Sequence, residues 1–243
     1  MSAGGGLGPA LDEDFHVHST FSDGESSLAQ NVRAARERAL RTLRLVDHVR
    51  RGTEWLPEFT AAVAPFREQQ GLRVLAGVEA KILDTSGRLD LPPGLDGIDL
   101  VLIADHQFPG DGGPVHPAQA RAAIGRGAMT AAEAIERLCE ATASALDATD
   151  RRRLLAHLFS VLPKMGLDEA MVPEPLLAEL ARRVALAGAM VEINEKWACP
   201  SSRTVAAMAR AGVHLVAGSD SHHCRDVGVY RTVALTAGAG VRA

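Results

Sequence analysis

Short apolar runs alternate along the chain with longer stretches of helical periodicity. The segment Phe15-His16-Val17-His18 ends a first strand, and a Ser26-Ser27 cap opens a helix reaching about residue 40. A second strand is expected over 43–46, a helix over about 54–70, a third strand over 74–79 and a fourth, wholly apolar, over 100–103. A long interval follows, with loop chemistry at Pro109-Gly110-Asp111-Gly112-Gly113-Pro114 and an Ala-rich helix over 130–146. Strands at 154–157, 190–193 and 213–217 then alternate with helices at 174–187 and 202–211, and residues 229–243 read as one more short strand and a tail.

Strands separated by helices argue for repeated βα units with parallel pairing, and seven of them suit a closed or nearly closed barrel better than an open sheet. The glycine-rich start predicts a flexible tail over residues 1–12, followed by a single domain over 13–243. The widest gap, between the fourth and fifth strands, is where a lid or accessory helix would be inserted. Composition sharpens this picture in a few respects. With 47% hydrophobic but only 4% aromatic residues, the core must be built mainly from Ala, Val, Leu and Ile. The net charge of −4 offers no electrostatic footprint for nucleic acid. The three cysteines are odd in number and widely spaced, no run approaches a membrane span, and the start lacks the blocks of a signal peptide. A cytoplasmic, non-membrane protein is the expectation.

The candidate chemistry lies in where the histidines fall. Strand C-terminal ends carry, in order, His16 and His18, His48, Glu79, His106, His157, Glu192 with Asn194, and Asp220 with His222. In βα barrels the C-terminal end of the strands is the working face. Ordinary core or surface use would scatter the nine histidines over helices and loops instead. His16 and His18 are two apart on a strand, so both imidazoles project to one face and can reach one ion. Asp220-Ser221-His222 repeats that spacing. Neutral imidazole with carboxylate suits divalent Zn, Mn or Fe, and no paired cysteines point to a thiolate site.

These residues bring the chain to a known family. It resembles the PHP phosphoesterases, named for polymerase and histidinol phosphatase, through Phe15-His16-Val17-His18-Ser19 with Ser22-Asp23-Gly24, Val46-Asp47-His48, Gly77-Val78-Glu79, Asp105-His106, Leu155-Ala156-His157, Glu192-Ile193-Asn194 and Gly218-Ser219-Asp220-Ser221-His222. The resemblance implies a distorted seven-stranded TIM-like (β/α) barrel, with a trinuclear divalent metal site at the C-terminal ends of the strands. The first ion would take His16, His18, Glu79 and Asp220. Glu79 would bridge to a second ion, bound also by His106 and His157, and a third would take Asp23, His48 and His222.

The expected function is hydrolysis of a small phosphorylated metabolite, histidinol phosphate among the candidates, by in-line attack of a metal-bound hydroxide on phosphorus. His116, in the insertion, is a candidate proton donor to the leaving group; Asn194 and Arg225 are candidate substrate-handling residues, with His223 and Arg50 behind them. Asp47 and Asp105 alternate to the other strand face and suit supporting roles. His214, at the start of its strand, falls at the opposite end of the barrel. The segment Asn194-Glu195-Lys196-Trp197-Ala198-Cys199 after the sixth strand matches no motif and is a candidate for substrate choice. Two alternatives stay open at this stage: a nucleotide or nucleic-acid phosphodiesterase, and a non-catalytic metal-binding module.

Overall fold

A strand buried at every position, as Leu100–Ala104 is, needs cover on both faces, and parallel pairing with helices outside supplies it. A computed structural model describes residues 8–69 and 71–240. Its main sheet joins, in chain order, β1 (Glu13–Val17), β2 (Thr42–His48), β3 (Leu72–Lys81), β4 (Leu100–Ala104), β5 (Arg152–Ala156), β6 (Met190–Asn194) and β7 (His214–Gly218). All neighbouring pairs on this path are parallel. The seam between β1 and β7 closes past the end of β7, where the His18 amide donates to the Ser221 carbonyl at 2.8 Å. Asp14 reinforces it, accepting from the amides of Ser219 (2.9 Å) and Gly228 (2.8 Å). The result is a distorted, nearly closed seven-stranded barrel, as the periodicity predicts.

The α-helices among the described residues are α1 (Leu28–Glu37), α2 (Leu56–Val63), α3 (Pro117–Gly125), α4 (Ala131–Ala145), α5 (Val161–Lys164), α6 (Glu174–Leu186), α7 (Ser202–Arg210) and α8 (Thr232–Gly240). Capping is local where the sequence reads it locally: Ser27 with Gln30, and Thr130 with Glu133, form reciprocal capping boxes. The large core lies between strands and helices. A smaller one fills the barrel, built from Phe15, Val46, Leu100, Leu102, Ala104, Leu154, Ala156 and Val216. Residues of the same parity on one strand therefore run from the barrel floor through this plug to the rim: Arg44, Val46 and His48 share a face of β2.

The structure departs from the sequence reading in four places. The helix expected over 54–70 stops at Val63 and passes through a 3₁₀ turn, Ala64–Phe66, into a short antiparallel strand, Glu68–Gln69, on β3. Pro65 in that turn lacks the N–H that a continuing helix requires. The loop at 109–114 is the tip of a hairpin, Phe108–Gly110 with Gly113–Val115, followed by α3, which the sequence reading missed. The closing segment is helical rather than a strand, because the Glu195 carboxylate accepts from the amides of Arg231, Thr232 and Val233 at 3.0–3.1 Å and caps α8. Of the tail expected over residues 1–12, residues 1–7 lie outside the described residues, and Asp12 pairs with Arg41. Among the described residues no helix is long and apolar enough to cross a membrane.

Candidate metal centre

Parallel register sets the site. It places His48 directly beside Glu79, and Asn194 beside Gly218, at the same end of the barrel. Glu79, fully buried, is the hub. Its Oε1 lies 2.8 Å from His157 Nε2 and 3.0 Å from His106 Nε2. Its Oε2 lies 3.0 Å from His48 Nδ1, 3.3 Å from His16 Nε2 and 3.4 Å from His18 Nε2. Burial pushes the Glu79 carboxyl up, but the His106 and His16 charges with the His106 and His157 hydrogen bonds outweigh it and hold it well below the usual range.

Three sets of side chains gather their donor atoms within 4.8 Å: His18, Asp23, His48 and His222; His16, His18 and Asp220; and His48, Glu79 and His106. Eight of the nine positions singled out in the sequence fall in these sets, and the ninth, His157, joins them at the same rim through Glu79 Oε1 at 2.8 Å. The grouping differs in detail from the expected one. His18 belongs to two sets and His48 stands between Glu79 and Asp23, its Nε2 3.5 Å from Asp23 Oδ2.

The donor chemistry fits divalent ions. The His18 Nδ1 atom is buried without a hydrogen-bond partner, an arrangement that costs free energy unless something electrophilic faces it. His16 Nε2 and His18 Nε2 stand 3.0 Å apart, close to the ~3.3 Å expected for two imidazole nitrogens at ~2.0–2.1 Å from one tetrahedral ion. His157 and Asp220 adopt left-handed backbone, at φ of 32° and 52°, the kind of strain that collects at functional sites.

Buried partners behind the rim fix the imidazoles. Glu192 Oε1 lies 2.9 Å from His16 Nδ1, and its Oε2 accepts from the His157 amide at 2.7 Å. Accepting from the Nδ1–H of His16, Glu192 fixes the tautomer whose Nε2 lone pair is aimed at the cluster. The His157 Nδ1–H faces Ser160 Oγ at 3.0 Å, and that hydroxyl donates to Asp105 at 2.8 Å. Asp47 accepts from both the amides and the hydroxyls of Ser19 and Ser22, which holds the loop carrying Asp23. Asp47 and Asp105 thus support the rim from behind. Glu192→Gln should therefore weaken metal retention by about 10–100-fold, read by competition with a chelator.

The remaining candidates separate. Asn194 is buried, with Oδ1 accepting from the Trp197 amide at 2.8 Å and Nδ2 3.4 Å from Asp220 Oδ2. His116 is exposed and caps α3, its Nδ1 accepting from the Ala118 amide at 3.2 Å; it lines the cavity above the rim without touching the cluster. Arg225 points outward, 74% exposed, and pairs with Asp226. His223 accepts from the Arg225 amide, Arg50 lines the cavity, and His214 sits exposed at the start of β7. The sequence reading missed the roles of Ser160, Trp197 and Lys196. Trp197 Nε1 donates to Asp220 Oδ2 at 2.9 Å, and Lys196 Nζ lies 3.3 Å from Asp220 Oδ1 and 3.4 Å from His222 Nε2. A lysine two residues past a strand-end Asn on the working face was the available signal.

A cavity of about 1250 Å³ opens on Asp23, His48, Glu79 and His106. Phe21 and Trp55, packed edge-to-face against the buried Phe59 at centroid distances of 5.2 and 5.7 Å, form its aromatic wall. Arg50, Lys81 and Lys164 bring positive charge to it.

Comparison with known proteins agrees with this geometry. The PHP domain profile matches residues 14–223. A protein of Vibrio parahaemolyticus named "Probable phosphatase" is 28% identical over 229 residues, covering 88% of this chain and 79% of its own length. One of the same description from Thermoanaerobacter sp. is 34% identical over 98 residues, so the match spans 38% of this chain and 40% of that relative. Among solved structures, the histidinol phosphate phosphatase of Lactococcus lactis, complexed with zinc, L-histidinol and phosphate, superposes with a TM-score of 0.62 at 18% identity, over 95% of this chain and 92% of that one. That likeness establishes the shared fold. The profile match covers most of the chain, and the chain belongs to the PHP domain family.

Proposed function

We propose that the protein is a metal-dependent phosphomonoesterase acting on a small phosphorylated metabolite. The observation that carries this reading is Glu79, a buried carboxylate that faces His106 and His157 with one oxygen and His16, His18 and His48 with the other. A carboxylate so placed could donate one oxygen to each of two neighbouring ions. In the proposed assignment His16, His18, Asp220 and Glu79 hold one ion, Glu79, His106 and His157 a second, and Asp23, His48 and His222 a third. Divalent ions so held would offset the charge of a phosphate dianion and lower the pKa of water from 15.7 towards about 7.

The chain's own residues then account for binding and orientation. Lys196, reaching over Asp220 and His222, offers a flexible ammonium to a phosphoryl oxygen. Trp197 and Asn194 hold Asp220 in place beneath it. The cavity is roomy for a metabolite, and the Phe21–Trp55 wall suits an apolar or planar leaving group. His116 lines the same cavity and is the proposed proton donor to a departing alkoxide. Lys196→Met, at a side chain 42% exposed, should fold normally and lower kcat/KM for phosphate release about 10-fold or more, mainly through KM.

The deciding experiment is phosphate release by metal-replete protein from a panel of monoesters, beside a dinucleotide and a chelator-stripped control. The Lactococcus lactis neighbour is a histidinol phosphate phosphatase, so histidinol phosphate leads the panel. Metal-dependent release from one monoester well above the rest supports the reading and names the substrate. Release from the dinucleotide alone transfers the site to diesters, and no release from any ester with metals bound leaves a non-catalytic module.

A further inference from the structure

The opposite end of the barrel holds a second constellation of charge, which phosphate ester hydrolysis at the rim does not use. On β2 the face that presents His48 at the rim presents Arg44 at the floor. Arg44 is only 7% exposed. Its guanidinium carbon stacks 3.2 Å from the centroid of the Phe15 ring, and its Nη1 is buried with no hydrogen-bond partner. Stacking occupies one face of the guanidinium and leaves the N–H edge of the fork free for an acceptor in its plane.

Arg73 at the start of β3 and Arg152 at the start of β5 join Arg44 around a cavity of about 210 Å³, floored by Leu75, Leu100 and Met190. The carboxylate that also lines it, Asp99, is already engaged by Arg67 Nη1 at 2.7 Å and the Ala76 amide at 2.9 Å. Among the described side chains none forms an ion pair or hydrogen bond with the guanidinium of Arg44, Arg73 or Arg152. Burial lowers the Arg44 guanidinium to about 10; Glu13 and Asp99 oppose the shift, and the charges of Arg152 and Arg73 add to it. It stays charged at neutral pH.

A buried cation beside two like charges, whose nearest carboxylates, Asp99 and Glu13, already have other partners, is costly to fold around. An anion in the cavity removes that cost. A tetrahedral oxyanion matches the guanidinium fork, and 210 Å³ accommodates it with a few waters, at about 30 Å³ each, but not a nucleotide. We propose that this floor cavity is a binding site for one oxyanion of the phosphate class, held by Arg44, Arg73 and Arg152 and separate from the metal centre. Free phosphate and the terminal phosphate of a small ester share this chemistry. Because the three arginines sit on β2, β3 and β5, occupancy would tie the floors of those strands together and make the stability of the barrel respond to phosphate.

The test is thermal unfolding of the metal-loaded protein at constant ionic strength, in chloride and then with inorganic phosphate or glycerol phosphate, for the wild type, Arg44→Met and Arg152→Ala. Phosphate bound at the metal centre raises every protein alike and cancels in the difference. At a hundredfold excess over Kd the wild type should gain about 5–10 °C more than either variant. In chloride alone Arg44→Met should melt no lower than wild type, because it removes a buried charge that has no direct partner. A gain with inorganic phosphate only restricts the site to the free oxyanion, and an equal gain with glycerol phosphate opens it to esters; both support the site. Equal phosphate-dependent gains in wild type, Arg44→Met and Arg152→Ala overturn it. If Arg44→Met fails to fold, the exposed Arg152→Ala carries the same comparison.

Discussion

Glu79→Gln should abolish metal-dependent phosphate release, with kcat/KM falling by more than about 10³-fold. The substitution keeps the volume of the side chain and removes the charge on which His16, His18, His48, His106 and His157 converge. A supporting partner behind a metal ligand is worth about 10–100-fold, and a carboxylate shared between two ions must exceed that. An amide also presents one oxygen rather than two, so one set of imidazoles would face an N–H donor. Steady-state kinetics with a saturating metal supply checks this. A loss of less than tenfold would show that Glu79 is not the bridging ligand.

Gly218→Ala should be the most damaging single methyl in the barrel. A Cβ at this position would lie 1.7 Å from Glu192 Oε1 and 2.7 Å from its Cδ. Glu192 cannot retreat without surrendering His16 Nδ1 and the His157 amide. Overpacking together with a buried carboxylate that loses partners should cost roughly 2–4 kcal/mol of stability and most of the bound metal. Gly125→Ala, where a Cβ meets nothing within 4 Å, is the control, and its stability should move by less than about 1 kcal/mol. Denaturant unfolding of the two variants side by side gives the comparison, and equal stabilities would mean the Glu192 strut is softer than its contacts imply.

Much of the barrel and its rim was legible because each signal is local. A β strand alternates its faces every residue, so His16 and His18 could be placed on one side without any tertiary information, whereas Asp220 and His222 lie past the end of β7 and reach the site through a turn with Asp220 in left-handed backbone. The fully apolar β4 reads as doubly buried for the same reason. What escaped depends on residues far apart in the chain. The helix α8 forms where a strand was expected because Glu195, about forty residues before its end, caps it. Lys196 and Trp197 lie in a loop whose reach to Asp220 no spacing rule encodes. Glu192 was visible as a strand-end acid, yet its hold on His16 spans 176 residues. The arginines of the barrel floor read singly as ordinary surface charge, and only the closing of the sheet brings Arg44, Arg73 and Arg152 around one cavity.

The central claim is that this ring of imidazoles and carboxylates holds divalent ions through Glu79. Elemental analysis of metal-replete, desalted protein tests it most directly, with Glu79→Gln measured alongside. One ion is expected for each of the three side-chain groups in the wild type, with loss of those nearest Glu79 in the variant. A wild-type protein that retains no divalent ion, or a variant that retains as many as the wild type, would contradict it.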